Sequence, residues 1–147
     1  MSVPAVSPPF AWIATHAFAY PLLEVLHIVG IATLLGSLLL FELRVWGVGS
    51  ALPVDALARL ALPLSLGGFA VAAMSGALMF ASQAAELIAN RIFVVKMGLL
   101  LLAGLNAACF HCRGGTARLD GLGRAQTLLS LGLWLAVIFC GRWIAYA

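Results

Sequence analysis

Residues 22–46 read LLEVLHIVGIATLLGSLLLFELRVW, and only Glu24, His27, Glu42 and Arg44 interrupt the run with ionisable groups. A helix rises about 1.5 Å per residue and the hydrocarbon core of a bilayer is about 30 Å thick, so about 20 apolar residues span it. This stretch is long enough. It stops at Gly47-Val48-Gly49-Ser50, with Pro53 beyond, a combination that breaks a helix. Working outward, three more stretches meet the same criterion, at about 57–81, 92–110 and 125–146. Between the second and third lies a polar stretch with Ser82, Gln83 and Glu86, then Asn90 and Arg91. Between the third and fourth lie Arg113-Gly114-Gly115-Thr116 and Asp120-Gly121. No segment alternates with period two, which argues against strands.

Phe10, Trp12, Phe18 and Tyr20 precede the first span, and amphipathic rings suit the headgroup region. A short interfacial helix is expected between Pro9 and Ala19. The predicted fold is all-α: an integral membrane four-helix transmembrane bundle with a short N-terminal interfacial segment, forming one domain over 1–147.

Composition agrees. The chain is 64% hydrophobic and 9% charged, against about 25% charged in soluble domains. Its formal charge of +3 is scattered, with no basic patch, so nucleic acid is not an expected partner. The lipid bilayer is. Three cysteines, Cys109, Cys112 and Cys140, form no disulfide framework. The N-terminus has no basic leader region and is broken by Pro4, Pro8, Pro9 and Pro21, so the first span is expected to act as an uncleaved signal. Arg44, Arg59, Arg113, Arg118 and Arg124 flank the loops after spans one and three, whereas Arg91, Lys96 and Arg142 lie at the other end. The Lys/Arg bias puts those loops in the cytoplasm and both termini in the periplasm, in a bacterial inner membrane. Gly68, Ala72 and Gly76 form a small-residue stripe that admits a close helix neighbour, and Gly104 with Ala108 could do the same.

Ionisable groups within a span are costly, and by default they mark function. Glu24 and His27, three apart, share one face of the first helix. Counting 1.5 Å per residue puts them at the same level as Lys96 on the third span and Arg142 and Trp143 on the fourth. His16 could reach that level, although a surface position suits it better. Glu42 and Arg44 read as an interfacial ion pair or loop tether. Glu24 and Glu42 are five helical turns apart and so occupy one stripe, expected to face the interior. Cys109, His111 and Cys112 are soft-metal ligand types, but neighbouring helical positions diverge, so packed thiols and an interfacial histidine are expected.

An intramembrane histidine commonly ligates haem, ligates a metal or carries a proton. Haem b suits this set: His27 as axial ligand, Glu24 to orient it or carry a proton, and Lys96 and Arg142 for the propionates, or Lys96 toward the iron, with Trp143 and Phe93 against the ring. His111 lies near the opposite face and cannot share an iron with His27. Copper at Glu24, His27 and Met79 is the alternative. A cofactor-free accessory subunit, held by a network of Glu24, His27 and Arg142, is a third reading. Small size suits a homo-oligomer or docking with other membrane subunits.

The stretch Leu23-Glu24-Val25-Leu26-His27-Ile28-Val29-Gly30, followed by Gly36 and Glu42-Leu43-Arg44, together with Phe93-Val94-Val95-Lys96 leading to Asn106, resembles a large bacterial family of uncharacterised four-span membrane proteins. That family is distantly similar to the copper-resistance D (CopD) membrane domain and to HemJ-type protoporphyrinogen oxidases. In the latter, an early-helix histidine and a later-helix lysine are linked to haem binding and activity. The resemblance implies those roles for His27 and Lys96. The chain lacks the Met- and His-rich external motifs of a dedicated copper importer and the multiple paired histidines of di-haem cytochromes b.

Overall fold

The computed structural model describes residues 10–117 and 119–147. Six α-helices follow one another: α1 (Ala11–Thr15), α2 (Ala19–Val45), α3 (Val54–Ser82), α4 (Ala84–Ala89), α5 (Arg91–Cys112) and α6 (Gly121–Trp143). Single 3₁₀ turns occupy Gly115–Ala117 and Ile144–Tyr146. There is no strand among the described residues. Four of the helices, α2, α3, α5 and α6, are long and apolar enough to cross a membrane. The result is an all-α four-helix bundle of the multi-pass membrane type. Its flanks expose large apolar side chains such as Leu22, Ile28, Leu60, Leu66, Met74 and Phe139, a surface that suits lipid rather than water.

The helices start where the sequence can satisfy their free N–H groups. Asn90 Oδ1 accepts from Ile92 N (2.9 Å) and Phe93 N (3.3 Å) to cap α5. Asp120 Oδ1 accepts from Gly123 N (2.8 Å) to cap α6. Pro21 falls in the first turn of α2, where its missing N–H costs nothing. The turn from α2 to α3 needs Gly47 (φ 101°) and Gly49 (φ 65°), a backbone region that side chains rarely tolerate. Arg44 tethers this turn by donating to Leu52 O (2.5 Å) and Ser50 O (3.3 Å).

The chain forms two hairpins. Helices α2 and α3 pack along each other through bare backbone. A Cβ on Gly68 would stand 2.5 Å from Leu34 N, and one on Gly30 would stand 2.6 Å from Ala72 N. The expected stripe on the second span is therefore the α2 contact, made possible by glycine on both helices. Gly104, by contrast, meets nothing within 4 Å. In the second hairpin Asn106 Nδ2 donates to Gln126 O (2.9 Å) and Arg113 Nη1 to Gln126 Oε1 (2.9 Å). The hairpins meet through Phe80 stacked on Phe93, Phe69 edge-on to Trp134, and Phe41 edge-on to Phe110. Trp46 Nε1 also donates to Thr127 Oγ1 (2.8 Å). The tightest core, Phe41, Val45, Ala58, Ala61 and Phe110, sits at the end bearing the α2–α3 and α5–α6 loops.

The spans run slightly longer than expected: α2 and α3 begin three residues early and α6 begins at Gly121. The polar stretch after the second span is itself a short helix, α4, because Ala84–Ala89 holds good helix formers and no breaker before Asn90. The interfacial segment is reduced to α1, which packs its buried Ile13 toward α3. Its proline-rich approach, and Arg118, lie outside the described residues.

Candidate functional site

His27 faces inward from α2 toward α3 and is half-buried. Its Nδ1 lies 2.7 Å from the Ala72 carbonyl and 3.2 Å from Ser75 Oγ. A carbonyl oxygen only accepts, so Nδ1 carries a proton, and the ring in its neutral form has its lone pair on Nε2. Ser75 Oγ itself donates within α3, to Val71 O at 2.7 Å. The ring lies over the bare backbone of Gly76, where a Cβ would stand 3.0 Å from His27 Cε1. Nε2 has no protein partner among the described residues. The small residues of α3 thus serve twice: Gly68 and Ala72 let the helices close, and Gly76 makes room for the imidazole.

Lys96 comes from α5 toward this site. It is close enough to act electrostatically on His27. Its Nζ rests against α6 at Gly141, 3.3 Å from where a Cβ would be. A histidine from the first span and an amine from the third therefore lie within electrostatic range of each other. The imidazole is not turned toward lipid.

Glu24 departs from expectation. It is exposed, and it lines a cleft of about 760 Å³ at the end carrying both termini, with Tyr20, Gln83, Glu86, Arg91 and Gly141. It does not orient His27; the Ala72 carbonyl does. Three residues leave two side chains about 60° apart around a helix and most of a turn apart along it, enough for one to meet α3 while the other opens to the cleft. Gly141 belongs to the cleft wall and also touches Lys96, so the cleft and the His27–Lys96 pair share a wall.

Arg142 and Trp143 are not gathered with them. Both are exposed. Arg142 donates to the Tyr146 hydroxyl and lies over its ring, and Trp143 stacks on Phe139. Such aromatic and cationic groups suit an interfacial anchor. His16 is exposed, and its Nδ1 accepts from Phe18 N (3.3 Å) and Ala19 N (3.2 Å) at the start of α2. The expected network of Glu24, His27 and Arg142 does not form: the one salt bridge among the described residues is Arg113–Asp120 (3.0 Å).

At the loop end, Cys109, His111 and Cys112 are exposed, so the thiols are not packed in the core as expected. His111 Nδ1 bonds the Ala107 carbonyl (2.9 Å). No three His, Cys, Asp or Glu side chains converge on a metal-sized site among the described residues. A second cleft, about 620 Å³, lies there between Asp55, Arg59, Phe110, His111 and Thr116.

Glu42 faces the interior, as its stripe predicted, but not as the partner of Arg44. It is 1% exposed, the most deeply buried large side chain, and it makes no ion pair with Arg44. The signal was its place among the buried positions Leu34, Ser37, Phe41 and Val45 of α2. Comparison of the chain with protein-family models, with characterised proteins and with solved structures yields no match in any of the three.

Proposed function

We propose that this protein is a haem-b-binding redox protein, or a subunit of a membrane redox complex, with His27 as the axial ligand through Nε2. One observation carries the reading: the 2.7 Å bond from His27 Nδ1–H to the Ala72 carbonyl. Metal-ligating histidines commonly donate their other ring N–H to a carbonyl or carboxylate, which fixes the tautomer and raises ligand basicity. The bare backbone at Gly76 lets the imidazole lie against α3, and Lys96 offers a cation for a propionate from within the bundle. Haem would supply one-electron chemistry; the chain's own part is to present Nε2, hold the positive charge nearby and keep water from the imidazole. Glu24, in the adjoining cleft, suits proton exchange with the medium.

Orientation follows the same proposal. Arg44, Arg59, Arg113 and Arg124 stand at the loop end, which favours a cytoplasmic position for those loops and a periplasmic one for the termini and the site, in a bacterial inner membrane. A copper or other metal-handling role is less favoured, because no cluster of ligands surrounds His27 among the described residues. A purely structural network is less favoured because Glu24 and Arg142 do not pair with His27.

The test is the visible spectrum of the detergent-purified protein, before and after haem supplementation. A Soret band is expected in the wild type and should vanish in His27→Ala while the helical circular dichroism persists. A wild-type protein that takes up no haem overturns the proposal, and so does a band unchanged in His27→Ala.

A further inference from the structure

Glu42 is used by none of the above. Both of its carboxyl oxygens are buried and find no hydrogen-bond partner among the described residues. Its α2 neighbours Phe41 and Val45 join an apolar cluster with Ala58 and Ala61 of α3 and Phe110 of α5. Among the described residues no cation answers it. Arg44 is committed to the Leu52 and Ser50 carbonyls, Asp55 and Arg59 of α3 are exposed, and α6 contributes a hydroxyl, Ser130, which stands close to the carboxyl. A lone carboxylate costs several kcal/mol in such surroundings, whereas a leucine or glutamine would fill the space without a charge. An ionisable group retained at that cost is a functional site by default.

A polar trail leads away from it. Ser130 is one turn from Thr127 on the same face of α6. Thr127 Oγ1 accepts from Trp46 Nε1 (2.8 Å) and donates to the Arg124 carbonyl (2.8 Å) near the loop end of α6. We propose that Glu42 is a proton-binding site inside the bundle, loaded and unloaded along the α6 hydroxyls toward the loop end. The chemistry is reversible: one proton adds to a carboxylate oxygen and leaves by the same route. The site does not depend on a cofactor at His27.

Infrared spectroscopy of the full chain in lipid, at neutral pH, provides the test. The wild type should show the carbonyl band of one protonated carboxylic acid, and the band should shift in D₂O and disappear in Glu42→Gln. Where Glu42→Gln fails to fold, dicyclohexylcarbodiimide replaces it as the probe on the wild type. The acid proton passes to a carbodiimide nitrogen, the carboxyl oxygen bonds the central carbon, and rearrangement leaves a stable N-acylurea with no leaving group. One adduct per chain is expected at Glu42 by peptide mass spectrometry, decreasing as pH rises. An ionised Glu42 at neutral pH, with neither band nor adduct, overturns the proposal and points to a bound cation or a partner's base. A protonated band that never exchanges in D₂O also overturns it, because the group is then a sealed filler.

Discussion

Gly68→Ala adds one methyl group where two backbones meet. The new Cβ would stand 2.5 Å from Leu34 N and 2.7 Å from Gly30 O, whereas ordinary contact begins at 3.4 Å. Both obstacles are main-chain atoms, so no side chain can swing aside, and α2 and α3 must part by about 0.9 Å, the shortfall between 3.4 and 2.5 Å. Overpacking of this kind costs about 1–3 kcal/mol. The same movement stretches the 2.7 Å bond between His27 Nδ1 and Ala72 O, one turn along, beyond hydrogen-bond range. Its loss adds about 1 kcal/mol, roughly offset by the helix propensity that alanine gains over glycine. The net expectation is destabilisation by about 1–3 kcal/mol. Gly67, next in sequence, meets nothing within 4 Å, so Gly67→Ala should be neutral or slightly stabilising. Denaturant unfolding followed by circular dichroism in one detergent gives the stability of both variants, and ¹⁵N NMR of labelled histidine reads the His27 tautomer. If Gly68→Ala is as stable as Gly67→Ala and keeps the Nδ1–H tautomer, the helices do not cross as described.

Asn90→Ala removes the cap of α5 and the side-chain bonds to the Ile144 and Ala147 carbonyls. It should cost about 1 kcal/mol, and Asn90→Asp should recover the cap, as the same unfolding measurement would detect. Arg142→Ala removes an exposed bond to Tyr146; stability should change by no more than about 0.5 kcal/mol, and haem uptake should persist. Loss of uptake in a folded Arg142→Ala protein would return that residue to the site.

The bundle was legible because crossing a bilayer demands a length and apolarity that few other structures require. Gly47, Gly49, Pro53, Gly114 and Gly115 marked the turns, whereas Pro63 lies inside α3. His27 and Lys96 were legible as a pair, since ionisable groups at matching depth stand out against leucine. What escaped was direction around each helix. The four spans are apolar on all sides, so no periodic contrast distinguishes an inward from an outward face. Glu24 and Glu42 lie on one stripe, yet one opens to a cleft and the other is sealed, because the tightest apolar cluster closes around the loop end. Arg142 and Trp143 reached the right level and face outward. The role of the Ala72 carbonyl could not be read at all, because a main-chain acceptor leaves no mark in a sequence.

The spanning helices are unequal. The four spans hold 27, 29, 22 and 26 residues, the last running through its 3₁₀ turn to Tyr146, so α5 is about 8–10 Å shorter than α2 and α3. One bilayer accommodates both lengths when the longer helices lean or rise into the headgroups. Lys96 rides on the short helix and His27 on a long one, so lipids of different acyl length would slide the amine relative to the imidazole, making bilayer thickness a control on the distance between them.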